Sequence, residues 1–337
     1  MRELTRITAD KPSPALARSP LPRCLARIAT VTAAAAMLPK TVGMLATRAN
    51  HRRSSPTGGR ALPNESLVVA AADGATLAVT VEGTGPPVVL LHGWAADRSI
   101  WDAVADSLVE AGLRVVRYDM RGHGRSTGET GDLSIKQLVD DLRRVLDATG
   151  VQGAVAVGHS LGSLTLLAHL AAGDVPDRAV GPAPIRAAVL ASAGLPDPAV
   201  GPRAAAVAAW AMRSPTVEWL IARPTIGLAL MDPFSGADRI AAHVEAQRAA
   251  FLATPPDVRS RLLATIAYDP TPSLSAYETP TLLLVGSNDR FAVPARVRQL
   301  AALLPPSRIE VIEGRGHNLP YEVPERIVAA VHSFATL

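Results

Sequence analysis

Cysteine is almost absent. Cys24 is the only one in 337 residues, so no disulfide can form within the chain and no cysteine cluster can hold a metal. No two histidines have the spacing of a zinc-binding H-E-x-x-H helix. The glycine-bearing stretch EGTGPP at 82–87 lacks the G-x-G-x-x-G spacing and precedes a strand pattern, so no nicotinamide cofactor is implied. No internal repeat is present. Charged residues are few, 19% against 48% hydrophobic, which excludes a disordered chain and leaves ample material for a large core.

A net positive charge is also missing from most of the chain, despite a formal net charge of +4 overall. Residues 1–60 carry eleven Lys and Arg against two acids, a net of +9, and the other 277 residues carry 23 against 28, a net of −5. The basicity belongs to one segment, so a nucleic-acid-binding body is not supported.

That basic segment has its own pattern. Residues 1–27 are rich in Arg and Pro. IATVTAAAAMLPKTVGMLAT (28–47) is mostly apolar, and Arg48, His51, Arg52 and Arg53 follow it. Three readings compete. An export signal would use the apolar run at 28–38, but its leading region is long and no A-x-A site follows. A membrane anchor would need roughly 20 apolar residues, which Pro39 and Lys40 interrupt. An amphipathic surface segment with basic flanks is the third. The expectation is export or membrane contact through residues 28–53, with a disordered cytoplasmic extension as the alternative. A start at Met37 or Met44 would remove most of the segment.

From residue 65 on, short apolar runs alternate with helical patterns. LVVAA (67–71) and LAVTVEG (77–83), with Asp73-Gly74 between them, predict a hairpin. Continuous apolar strands follow at PVVLLHG (87–93), RVVRYD (114–119), AVAVG (154–158), AAVLASAG (187–194), PTLLLVG (280–286) and SRIEVIEG (307–314). Helical patterns lie between them at 101–112, 134–150, 294–305 and 324–335. Such alternation predicts an α/β fold, a mostly parallel doubly wound sheet of about eight strands covered on both faces. Ligands of such sheets gather at the carboxyl ends of the strands. Between 197 and 278 the alternation stops and only helical patterns remain, which predicts a cap over that end. The expected organisation is an N-terminal segment and linker (1–64), a core built from 65–196 and 279–337, and a helical cap (197–278).

Each chemically suggestive residue directly follows a strand. Ser160 lies in Gly158-His159-Ser160-Leu161-Gly162, between the strand AVAVG and the helical pattern LGSLTLLAHLAAG. A serine on a sharp strand-to-helix turn is exposed as a nucleophile, and the helix N-terminus favours negative charge there. His317, in EGRGHNLPYEVPERI after the last strand, is the residue type suited to take its proton near neutral pH. Asp289, in LLLVGSNDRFAVP, is placed to hold that imidazole, and Asp197 in SAGLPDP is the rival acid. Gly93, in His92-Gly93-Trp94 after PVVLL, allows a tight turn that aims the Trp94 N–H at the serine. With the Leu161 N–H it would form an oxyanion hole. Taken one at a time, each also has a plainer role as a turn or loop residue. His92 reads as an organiser of the oxyanion loop. His123 and His159 read as structural.

LLHGW, YDMRGHGRS, VGHSLGS, LLLVGSNDRFAVP and GRGHNLPYEVPERI, in this order, resemble the α/β-hydrolase fold family, serine esterase and lipase-like branch. The resemblance covers about residues 65–337 apart from the cap. It implies a catalytic triad of Ser160, His317 and Asp289 with Trp94 and Leu161 as oxyanion donors, and neither cofactor nor metal. A serine rather than an aspartate at the nucleophile position disfavours the haloalkane dehalogenase and epoxide hydrolase branches. HGW is followed by Ala-Ala, without the Pro frequent in the haloperoxidase-like branch. The elbow ends Gly162-Ser163 where many lipase-like relatives have Gly-Gly.

The function implied is hydrolysis of a small carboxylic ester with a hydrophobic acyl or aryl group, through an acyl-enzyme. Thioester, lactone or C–C hydrolysis, peracid formation, and a non-catalytic ligand receptor are the alternatives. In the cap, Trp210, Met212, Trp219, Leu220, Ile221, Leu228, Leu230 and Met231 either line the substrate or pack the cap helices.

Overall fold

The computed structural model describes residues 64–172, 183–197, 202–237, 240–305 and 307–335. The basic and apolar N-terminal segment, with the membrane contact or export expected of residues 28–53, lies outside the described residues. Among the described residues no helix is long and apolar enough to cross a membrane.

Eight strands form one sheet in the order β1-β2-β4-β3-β5-β6-β7-β8. They are β1 (Asn64–Ala70), β2 (Thr76–Glu82), β3 (Pro87–Leu91), β4 (Arg114–Tyr118), β5 (Ala154–His159), β6 (Ile185–Ala191), β7 (Thr281–Gly286) and β8 (Ser307–Ile312). β1 and β2 form the predicted antiparallel hairpin and β2 runs antiparallel to β4, while all the other neighbours are parallel.

The apolar runs become strands because both faces of the sheet are covered. Every residue of β5 and β7 is buried. Along β3 the side chains alternate: Val89 and Leu91 enter one core layer, Val88 and Leu90 the other. The first layer is closed by α2 (Ile135–Ala148), α3 (Leu161–Ala171) and α9 (Pro294–Ala302), through Leu142, Leu166 and Val297 among others. The second is closed by α1 (Asp102–Glu110) and α11 (Pro324–Ala335), through Leu108, Ile327 and Phe334. Full burial of each such side chain is worth about 1.5–3 kcal/mol. Ser134 caps α2 by accepting from Gln137 N.

From β3 the chain moves to β4 on one side, and from β5 it moves outward on the other. The boundary between β3 and β5 is therefore a switch point, where a crevice opens at the carboxyl ends of the strands. Leu91 of β3 pairs there with Gly158 of β5.

The helices between β6 and β7 form an insertion in the alternation of strands and helices. They are α4 (Pro202–Met212), α5 (Pro215–Ala222), α6 (Pro224–Met231), α7 (Ala241–Ala253) and α8 (Pro256–Ile266). Only Arg223 separates α5 from α6. Pro224 cannot continue a helix but suits the first turn of the next one, so the chain breaks at Arg223 and restarts. The insertion has its own core of Met212, Val217, Ile221, Met231, Val244 and Phe251. It docks on the loops after β3 and β4. The Trp94 indole N–H donates to Arg259 O at 2.9 Å, and Thr265 Oγ1 donates to Leu133 O at 2.7 Å.

Candidate active site

Ser160 sits between β5 and α3 with φ 51° and ψ −114°, a backbone conformation that a non-glycine residue rarely adopts. Its neighbours keep it there. A Cβ at Gly162 would overlap the carbonyl oxygens of Leu91 and His92, and one at Gly158 would overlap the backbone of Ser163. The two glycines thus let α3 start directly against β3 and β5. Leu161 is the first residue of α3, so its N–H has no partner within the helix.

His317 Nε2 lies 3.0 Å from Ser160 Oγ. His317 Nδ1 lies 3.0 and 2.9 Å from the two carboxylate oxygens of Asp289. Asp289 is itself held, because its Oδ1 accepts from the N–H groups of Phe291 and Ala292 at 2.8 and 2.9 Å. Both Asp289 and His317 are buried. Asp197 is directed elsewhere, with its carboxylate 3.6 Å from the Arg296 guanidinium.

The turn after β3 abuts the serine. A Cβ at Gly93 would come within 3.2 Å of Ser160 Cβ. Two buried histidines fix this turn. His92 Nδ1 donates to Gly93 O at 2.8 Å, and its Nε2 accepts from Met120 N at 2.8 Å. His123 Nδ1 donates to Arg121 O at 3.0 Å, and its Nε2 accepts from Ala95 N at 3.2 Å. One donor and one acceptor per ring is the neutral imidazole. Burial enforces it, lowering the pKa to about 4 for His92 and about 3 for His123.

His159 has a third such role. Its Nε2 donates to the carbonyl oxygen of His317 at 2.8 Å, and burial lowers its pKa to about 3. Ser192, at the end of β6 with φ 54°, donates its hydroxyl to the same oxygen at 2.9 Å. The backbone of His317 is thus held from two strand ends.

The apolar residues expected in the cap divide into two groups. Met212, Ile221 and Met231 pack inside the insertion, while Trp210 and Trp219 are 56% and 45% exposed. The aromatic rings beside His317 are instead Phe291, with its centroid 5.2 Å away, and Phe234 at 6.1 Å, and these two stack at 4.3 Å. Trp94 meets Phe251 edge-on at 5.7 Å. Sequence reasoning missed Ser192, Phe234 and Phe291. It also missed Arg259, fully buried against Glu218 with its guanidinium 4.1 Å above Phe251. Phe291 alone had a signal, being two residues past Asp289.

The arrangement can deprotonate a hydroxyl, hold the resulting imidazolium and offer N–H groups at a helix start. Among the described residues no group of His, Cys, Asp and Glu could hold a metal ion.

Known proteins share this architecture. The model described as "Alpha/beta hydrolase family" matches residues 88–330. A bifunctional esterase/perhydrolase of Acinetobacter calcoaceticus is 43% identical over 77 residues, 23% of this chain and 28% of that protein. The match spans well under half of that relative. An Azorhizobium caulinodans protein, a carbamate hydrolase by name, is 26% identical over 254 residues, 74% of this chain and 91% of its own length. The solved structure of a thermophilic esterase from Thermogutta terrifontis superposes with a TM-score of 0.66 at 27% identity, covering 81% of this chain and 98% of that one.

Proposed function

The chain belongs to the alpha/beta hydrolase family, and on that premise we propose that it is a serine hydrolase cleaving carboxylic esters of a hydrophobic acyl or aryl group. The observation that carries the reading is the unbroken line of contacts from Ser160 Oγ through His317 to Asp289. Ser160 Oγ attacks the ester carbonyl as His317 Nε2 takes its proton. Asp289 holds the Nδ1–H and stabilises the imidazolium. The N–H groups of Trp94 and Leu161 receive the oxyanion, each worth on the order of 3 kcal/mol in the transition state. Collapse expels the alcohol, which takes the proton from His317, and leaves the acyl group on Ser160. Water, deprotonated by His317, then releases the acid. The helices of the insertion cap the site, and Phe234 and Phe291 beside His317 favour an apolar substrate.

A series of p-nitrophenyl esters of increasing acyl length tests this. Turnover that rises from acetate to a medium chain is the expected result. Absence of turnover across the series contradicts it.

A second reading shares the acyl-enzyme. The likeness to an esterase/perhydrolase over 77 residues favours hydrogen peroxide as an alternative acceptor. Peroxide would then attack the acyl carbonyl, releasing a peracid and free Ser160. Peracid formed from ester plus peroxide, and lost in Ser160→Ala, supports it.

A further inference from the structure

The loop that carries His317 is joined to a segment of the helical insertion. Residues 234–237 leave the insertion between α6 and α7 and run beside residues 314–318. Phe234 O accepts from His317 N at 2.9 Å and from Asn318 N at 3.2 Å, and Gly314 O accepts from Ala237 N at 2.8 Å. The packing is too close for any side chain at 236, where a Cβ would overlap Gly314 O and Gly316 N.

Glu322 closes this junction. It ends α10 (Leu319–Glu322), the short helix that turns back toward the loop. Its Oε2 accepts from Gly316 N at 2.8 Å and from Gly236 N at 3.2 Å, one donor from each segment. Its Oε1 is buried and has no hydrogen-bond partner among the described residues. A half-buried carboxylate carries a desolvation cost, and here it touches no reacting atom. What it does touch is the peptide N–H next to His317 and the N–H of the facing segment. An acceptor with no proton of its own suits that position, since both partners are donors.

We propose that Glu322 is a positioning residue that clasps the His317 loop to the insertion, so that the imidazole is aimed at Ser160 only while residues 234–237 are docked. The inference rests on the serine hydrolase reading for its catalytic consequence. His317 is already fixed from below, because His159 and Ser192 hold its carbonyl oxygen. Its N–H is held from the insertion by Phe234 O, the N–H of Gly316 before it is held by Glu322, and the Arg315 carbonyl accepts from Asn288 N at 2.8 Å. Removing the carboxylate leaves the Gly316 and Gly236 N–H groups without their shared acceptor, which loosens the junction and lets the imidazole shift about the held carbonyl. A displacement near 1 Å of a reacting group costs on the order of 100-fold in rate.

The test is kinetic and structural together. In Glu322→Ala, kcat on p-nitrophenyl butyrate should fall on the order of 10- to 100-fold with little change in KM. Fluorophosphonate labelling of Ser160 should slow in proportion. Glu322→Gln keeps one carbonyl oxygen for both N–H donors and should recover most of the loss. Amide hydrogen exchange in Glu322→Ala should accelerate in 234–237 and 314–318 together and be unchanged in β5. Wild-type kcat in a folded Glu322→Ala, equal losses in Ala and Gln, or exchange confined to one segment would each overturn the proposal. Wild-type protein that no fluorophosphonate labels would instead contradict the hydrolase reading, and the exchange result would still decide the clasp.

Discussion

His317 Nε2 and Ser160 Oγ stand 3.0 Å apart across 157 residues of chain. Their strands, β8 and β5, are separated in the sheet by β6 and β7. The contact therefore depends on loops folding over two intervening strand ends, and each of those ends contributes. β6 is followed by Ser192, which holds the His317 carbonyl, and β7 ends before Asp289, which holds the His317 ring. Four consecutive parallel strands thus supply one group each.

Asp289 and Asp197 both follow strands, but only Asp289 faces His317. Asp289→Asn should lower kcat/KM on the order of 10⁴-fold, because an amide cannot fix the Nδ1–H tautomer or balance the imidazolium. Asp197→Asn should stay close to wild type, since its carboxylate lies beside Arg296. Michaelis–Menten kinetics of the two variants check this, and the opposite order would overturn the assignment of the acid.

The three neutral histidines predict an acid-side loss of stability. In the unfolded chain each titrates near its ordinary value of about 6.5. Folded, burial lowers His92 to about 4 and His123 and His159 to about 3. Below pH ~6.5 the unfolded state therefore binds protons that the folded state refuses, and stability falls with pH until those low values are reached. Each such proton contributes about 1.4 kcal/mol per pH unit. Urea midpoints should drop steeply between pH 7 and 5, and His123→Gln should flatten the slope. A midpoint independent of pH in that window would contradict the burial argument.

Arg121 carries the loop after β4 on a buried ion pair with Asp141 and a second pair with the exposed Asp73. Its guanidinium grips Asp141 of α2 through two bonds of 2.6 and 2.7 Å and reaches Asp73 at 2.8 Å. Arg121 and Asp141 are both buried, so Arg121→Leu leaves Asp141 without its counter-charge. The expected cost is about 3–5 kcal/mol. The double variant Arg121→Leu with Asp141→Leu should recover part of it, because no unpaired charge then remains. Denaturant unfolding of the single and double variants measures both, and equal losses would contradict the pairing argument.

Much of this was legible in the sequence for a local reason. An apolar run ending in a glycine turn marks a buried strand and its loop within ten residues, so Ser160, Asp289 and His317 could each be placed at a strand end. The turn that abuts Ser160 was legible the same way, from Gly93 after PVVLL. What stayed hidden depends on contacts between distant segments. Ser192 reads as a small residue in SAG until β6 is set beside the His317 loop. Glu322 reads as an exposed acid ahead of Pro324 until α10 turns it toward Gly236, 86 residues away. The tryptophans at 210 and 219, read as lining the substrate or packing the cap helices, are about half exposed, a state their apolar character did not reveal.

The central claim is that Ser160 is the acyl-accepting nucleophile. Its most direct test is reaction with a fluorophosphonate probe followed by peptide mass spectrometry. A single adduct on Ser160, with labelling and ester turnover both lost in a normally folded Ser160→Ala, is the predicted result. An adduct on any other residue, or turnover undiminished in Ser160→Ala, would contradict it.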